Sequence, residues 1–197
     1  MQSKKAIILF TKNPEKGKVK TRIAATLGDD KALDIYKKLV AHTNAIVKDL
    51  KVDKYVFYSN FITKNDLWSE TVFSKMLQSG NTLGDKMAAA FETLFYKKYD
   101  AVCIIGSDCY ELNSTIIDAA FKLLQTHDCV IGPTFDGGYY LLGSTTFNRE
   151  LFQNIAWSTD TVFSSTLAIC ESLRLKTAVL TKLNDVDTEN EVPKIWL

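Results

Sequence analysis

Short apolar runs alternate with helical repeats along this chain, and that alternation limits the folds open to it. "KAIILFT" (5–11), "KYVFYS" (54–59), "DAVCIIG" (100–106), "DCVIG" (128–132) and "KTAVLTKL" (176–183) read as buried strands. Between them, residues 29–50 space Leu33, Tyr36, Val40, Thr43, Val47 and Leu50 at steps of three and four, which is one apolar helix face. Leu83, Met87, Phe91 and Leu94 mark a second helix. Ile117, Ala120 and Leu124 mark a third, behind a cap at Asn113 or Ser114. Val162, Thr166, Ile169 and Leu173 give a fourth over 159–173. "VFSKMLQ" (72–78) is a weaker strand, 60–71 carry no clear pattern, and the tail holds a short terminal helix. This order predicts one α/β domain over 1–197, with a mostly parallel sheet.

One junction departs from the alternation. In "CVIGPTFDGGYYLLG" (129–143), the gap from Ile131 to Tyr139 is too short for a helical crossover. The strand at 139–144 is therefore expected to run antiparallel to its predecessor or to bend out of the sheet. Asp136-Gly137-Gly138 has turn chemistry, since glycine admits positive φ. Ligands of open α/β sheets bind beyond the carboxyl ends of the strands. Four segments fall there: 12–22, Ser107-Asp108, 133–138 and Asn184–Asp187.

The net charge of +1 implies no general affinity for nucleic acid or for an anionic membrane. The apolar run Ala6–Phe10 is too short for a membrane span or a signal core. Cys103, Cys109, Cys129 and Cys170 form no CxxC pair and suit reduced core thiols, so a cytoplasmic protein is expected. Charge is uneven, however. "KNPEKGKVKTR" (12–22) sets Lys12, Lys16, Lys18, Lys20 and Arg22 against Glu15 alone, which suggests an anionic ligand at one place.

The other rim segments bring Asp108, Asp136, Asp185 and Asp187. Hard oxygen donors with only two histidines in the chain suit Mg²⁺ or Mn²⁺ rather than zinc. Cations beside such a metal suit a polyphosphate, hence a nucleotide with a bridging metal. Other motifs fail on spacing. Lys12 and Val19 stand where a P-loop needs Gly and Ser or Thr, no GxGxxG follows the first strand, and no GxSxG is present. An EF-hand from Asp185 would need Gly at 190 and Glu at 196, where the chain has Asn190 and Trp196.

"KNPEKGKVKTRIAATLG", "QSGNTLGDKM", "IIGSDCYEL", "VIGPTFDGGYYLLG", "WSTDTV" and "LNDVDT" together resemble a bacterial glycosyltransferase/CofC-like family related to 2-phospholactate guanylyltransferase. That family is similar to nucleotide-diphospho-sugar transferases. The resemblance implies a GT-A-like, Rossmann-type three-layer sandwich with one antiparallel strand. It also implies a divalent-metal-dependent transferase acting on a nucleotide sugar and a small-molecule acceptor. A guanylyltransferase-like nucleotidyltransferase releasing pyrophosphate, and a non-catalytic nucleotide-binding module, are the alternatives. Thr82 stands where the family pattern has Asp, Lys86 where it has Arg, and Tyr110 where it has Pro.

On this reading Lys20 and Arg22 neutralise phosphate, with Asp108 as the third catalytic residue. Gly17 lets the backbone approach the phosphate. Asp108, Asp185 and Asp187 are the candidate metal ligands. Thr21, Gly84, Lys86, Asp136, Gly137, Gly138, Trp157, Ser158 and Thr159 are assigned to the substrate side. Each has a plainer reading: helix caps for Asp108, Asp185 and Asp187, an exposed loop for Lys20 and Arg22, a turn for 136–138, and core packing for Trp157.

Overall fold

The structure is a computed structural model and describes residues 3–197. Seven strands form one sheet in the order β3-β2-β1-β4-β6-β5-β7. They are β1 (Lys5–Thr11), β2 (Asp53–Tyr58), β3 (Phe73–Leu77), β4 (Ala101–Ile105), β5 (Cys129–Pro133), β6 (Tyr139–Ser144) and β7 (Thr177–Val179). The helices are α1 (Thr21–Leu27), α2 (Asp29–Val47), α3 (Leu83–Tyr96), α4 (Ser114–Leu123) and α5 (Val162–Ser172). All pairings are parallel except those of β6, which runs antiparallel to both β4 and β5. The short Ile131–Tyr139 connection is therefore a reversal, as its length requires.

Side chains alternate across the pleat and build two cores. Ile7, Leu9, Val56, Cys103 and Ile105 face Tyr36, Val40 and Val47 of α2 and Ile117, Ala120 and Phe121 of α4. Ala6, Ile8, Phe57, Val102, Ile104 and Leu142 face Met87, Phe91 and Leu94 of α3 and Cys170 of α5. Both faces of the central strands are covered, which is why those strands read as unbroken apolar runs. A third cluster joins Ile23 of α1 and Ile35 and Leu39 of α2 to Val186 and Val192 of the tail. It holds the segment carrying Asp185 and Asp187 against the rim.

Several boundaries differ from the sequence expectation. The segment read as strand 176–183 is only Thr177–Val179; beyond it the chain leaves the ladder and rejoins at an isolated Thr134–Leu183 bridge. Thr21 and Arg22, read as the end of a basic loop, open α1, and residues 23–27, which carry no sequence assignment, complete it. The terminal helix is two 3₁₀ turns, Glu189–Glu191 and Lys194–Trp196. The four cysteines are buried and free. Among the described residues no helix is long and apolar enough to cross a membrane.

Candidate active site at the carboxyl edge of the sheet

Strand order reverses direction between β1 and β4, and a cleft opens there beyond the strand ends. Its cavity of about 760 Å³ falls within the range of small-molecule sites. Thr11, the last residue of β1, and Lys12 after it line the cleft, and Gly106, Ser107 and Asp108 follow β4 into it. Tyr36, on the apolar face of α2, ties these two strand ends together. Its hydroxyl donates to the Lys12 carbonyl (2.9 Å), accepts from the Lys12 amide (2.8 Å), and lies 3.1 Å from Thr11 Oγ1 and 3.5 Å from Ser107 Oγ. Burial pushes the Tyr36 hydroxyl pKa up, so this residue forms a rigid, neutral floor.

Lys20 is the best-buried charge at the rim. Its side chain is 5% exposed, while those of Asp108 and Asp187 are 44% and 41% exposed. Its Nζ lies 2.8 Å from Asp108 Oδ1 and 2.9 Å from Asp187 Oδ1. Burial opposes the Lys20 charge, but the attraction of Asp108 and Asp187 outweighs it and raises the pKa. The backbone at Lys20 is left-handed (φ 48, ψ 47), and Ser158 across the cleft shares that conformation (φ 64). Such backbone costs about 1 kcal/mol in a non-glycine residue and persists where surrounding contacts fix it.

Neither aspartate of that pair is needed as a helix cap. Asn113 caps α4 through its bond to the Ile116 amide (3.1 Å). The 3₁₀ turn at Glu189–Glu191 starts at Thr188 and is closed by Glu191. Asp185 makes no ion pair or side-chain hydrogen bond among the described residues. Burial first, then repulsion from Asp108, Asp136 and Asp187, push its pKa up to about 7. The cluster thus holds more carboxylate than its single buried ammonium neutralises.

A stability prediction follows from that raised value. Between about 4 and about 7 the folded chain keeps a proton on Asp185 that the unfolded chain has released. Stability should therefore fall as pH rises through this window. Asp185→Asn should remove the fall and stabilise the metal-free protein at pH 8, by at most about 4 kcal/mol. Urea midpoints at pH 5 and pH 8, in chelator, check this; an unchanged pH dependence in the variant would contradict it.

The basic loop divides between two roles. Lys16 pairs with Asp30 (2.7 Å) and Lys18 with Glu15 (2.8 Å), away from the cleft. Lys12, Lys20, Thr21 and Arg22 line it. Arg22 is exposed and makes no ion pair among the described residues. Lys86, Asp136, Gly138, Trp157, Ser158 and Thr159 line the opposite wall.

Gly17, Gly84 and Gly137 are not among the lining residues, and each has a packing or turn reason. Gly17 turns the loop at φ 75. A Cβ on Gly84 would meet the Phe152 carbonyl and Trp157 Nε1, both at 2.5 Å. Gly137 (φ 90) lies against the Asp160 backbone, and its carbonyl accepts from the Phe163 amide (2.8 Å). Asp136 closes an Asx turn, accepting from the Gly138 amide (3.0 Å). The 133–138 segment is thus a turn that also presents Asp136 and Gly138 to the cleft. Trp157 is part core, packing edge-on to Tyr139, and part cavity wall.

Thr82 caps α3, with Asp85 returning the bond in a capping box. That accounts for threonine here on local grounds alone. Thr82→Ala should lower stability by about 1 kcal/mol without moving ligand affinity; a thermal melt paired with a binding titration checks both. Tyr36, Gln78 and Asp160 line the cleft without a site role assigned from the sequence, and Lys12 lines it as one cation of the basic segment. The rim position of Lys12 after β1 was the available signal; the Tyr36 hydroxyl gave none.

Donor chemistry bears on a metal. Among the described residues no three His, Cys, Asp or Glu side chains form a preformed cage. Asp108, Asp185 and Asp187 nonetheless share one rim with surplus negative charge, and Mg²⁺ is ordinarily held by one or two carboxylates plus phosphate oxygens. The donor set suits such an ion.

Comparison with known proteins supports the fold. A "putative nucleotide-diphospho-sugar transferase" from Desulfovibrio desulfuricans G20 superposes with a TM-score of 0.87 at 33% identity, covering 95% of this chain and 84% of that one. A cytidylyltransferase from Leptospira borgpetersenii serovar Hardjo-bovis superposes at 0.56 with 13% identity, over 95% and 80% of the two chains. A CMP:2-keto-3-deoxy-manno-octonic acid synthetase, solved with CTP, gives 0.56 at 8% identity over 98% and 97%. These two share the fold. No curated protein matches the chain. Residues 42–159 match the family described as "Uncharacterized protein conserved in bacteria (DUF2064)", and the chain belongs to that family.

Proposed function

We propose that the cleft is the active site of a transferase that takes a nucleotide substrate. The observation that carries this reading is the Lys20–Asp108–Asp187 arrangement at the β1/β4 switch point, in a cleft that Arg22 also lines. Cations from 12–22 meet a diphosphate from one side, and the carboxylates of 108 and 185–187 approach it from the other. Asp108 and one or both of Asp185 and Asp187 would hold a divalent cation. When bound, that ion supplies charge neutralisation on the phosphate oxygens. Lys20 and Arg22 add positive charge where the leaving group develops negative charge. Lys86, Asp136 and Trp157–Thr159 orient sugar or acceptor by hydrogen bonds and contact, and the Tyr36 floor fixes the two strand ends. No covalent intermediate is required.

Transfer of the sugar from a nucleotide sugar is the first reading; the name given to the 33% identical relative supports it. The second is nucleotidyl transfer with release of pyrophosphate, favoured by the shared fold of cytidylyltransferases. A thermal-shift panel of the four nucleoside triphosphates and common nucleotide sugars, with and without Mg²⁺ or Mn²⁺, tests the class. Stabilisation by a nucleotide sugar, with nucleoside diphosphate as product, supports the first. Stabilisation by a triphosphate, with pyrophosphate as product, supports the second. No stabilisation by any nucleotide contradicts both.

A further inference from the structure

Lys20 stands where a cation shared by Asp108 and Asp187 would stand. Its ammonium lies within 2.9 Å of one oxygen from each carboxylate. A divalent ion drawing on those same oxygens would lie close to the ammonium, and the repulsion between the two cations opposes its entry. We propose that Lys20 is a built-in counter-ion that closes the carboxylates to a divalent cation until a diphosphate draws its ammonium away. This rests on the reading of the cleft as a nucleotide and metal site, and it adds an order of binding to it.

Four features support the exchange. Both carboxylates are over 40% exposed and line the cleft, so an ion in the cleft can reach them. A lysine ammonium sits on a flexible four-carbon stem and can turn toward a new anion while its backbone stays fixed. Phosphate is a strong competitor for it, since charge-assisted bonds to phosphate match those to carboxylate. Lys12 and Arg22, also lining the cleft, give the incoming anion a first foothold that leaves the lysine pair intact. Once the ammonium turns, Asp108 and Asp187 lose their counter-ion together, and Asp185 beside them has none. The metal then enters a site that the anion has opened. Cooperation between the two ligands thus acquires a mechanical cause, and by linkage the effect is reciprocal.

The test is Mn²⁺ binding to the full-length protein, read by water-proton relaxation. Wild type, Lys20→Met and Lys20→Arg are each titrated without anion and with inorganic pyrophosphate. Lys20→Met should bind Mn²⁺ alone at least tenfold more tightly than wild type. Lys20→Arg, which keeps the charge, should remain weak. Wild type should bind Mn²⁺ well only with pyrophosphate. Equal affinity of Lys20→Met and wild type for Mn²⁺ alone, with the pyrophosphate effect intact, would overturn the counter-ion role and leave the site reading standing. No protein-bound Mn²⁺ in any arm would overturn both. Should Lys20→Met not fold, Lys20→Gln replaces it and melting temperature is the readout. A larger rise with Mn²⁺ than in wild type supports the proposal, and an equal rise overturns it.

Discussion

Gly137→Ala is expected to destabilise the protein by about 3 kcal/mol or more, the largest stability effect of any change in the rim. Two costs combine. The backbone at Gly137 has φ 90, which an L side chain rarely adopts. The added Cβ would also lie 2.0 Å from the Asp160 carbonyl oxygen and 2.5 Å from the Asp160 Cα. These are backbone atoms at the approach to α5, and Phe163 is bonded to Gly137 itself, so neither side yields without shifting the helix start. The neighbouring Gly138 is the control. Its Cβ would meet only Thr134 Oγ1 at 3.1 Å and Asp136 Oδ1 at 3.3 Å, with no positive φ. Gly138→Ala should cost under about 1 kcal/mol in stability yet narrow the cleft. Urea denaturation of the two variants measures the difference. Equal stabilities would mean that the turn does not pack on Asp160 as described.

The second large effect is on turnover. Asp108→Asn should lower the transfer rate by two to three orders of magnitude, the range seen when one fixed electrostatic group is removed from a reacting centre. The amide keeps the shape and a hydrogen-bond acceptor for Lys20 but removes the charge. Nucleotide affinity in chelator should stay the same or tighten, because a like charge facing the phosphates has gone. Initial rates with Mg²⁺, paired with calorimetry in chelator, separate the two outcomes. An unchanged rate would remove Asp108 from the chemistry. A fall in metal-free affinity matching the fall in rate would reassign it to substrate binding.

Sequence and structure agree most where burial is two-sided. β1 and β4 are covered on both faces, so their apolar runs are continuous and their ends could be read closely. The reversal at β6 was legible from chain length alone. β7 was not: Leu180 and Leu183 extend the apolar pattern but pack from beyond the ladder, so the run overstates the strand. Helix α1 has seven residues and a single buried one, Ile23, too few to show a period. At the site, residue types at strand ends were readable, and their pairing was not. Lys20 and Asp187 are 167 positions apart, and the third cluster that brings the tail to α1 and α2 joins residues with no local signal. Tyr36 was legible as an apolar face residue; its hydroxyl under the cleft depends on how α2 packs against the end of β1.

The central claim is that nucleotide phosphates and a divalent cation share this cleft through Lys20, Arg22, Asp108 and the 185–187 pair. Its most direct test is the coupling between the two ligands in the wild-type protein. Mn²⁺ is titrated alone and with each of the four nucleoside triphosphates, and each triphosphate is titrated with and without Mn²⁺. At least one triphosphate should raise the affinity for Mn²⁺ tenfold or more, and Mn²⁺ should raise the affinity for that nucleotide by the same factor. Affinities that are independent of one another for every nucleotide would contradict the account.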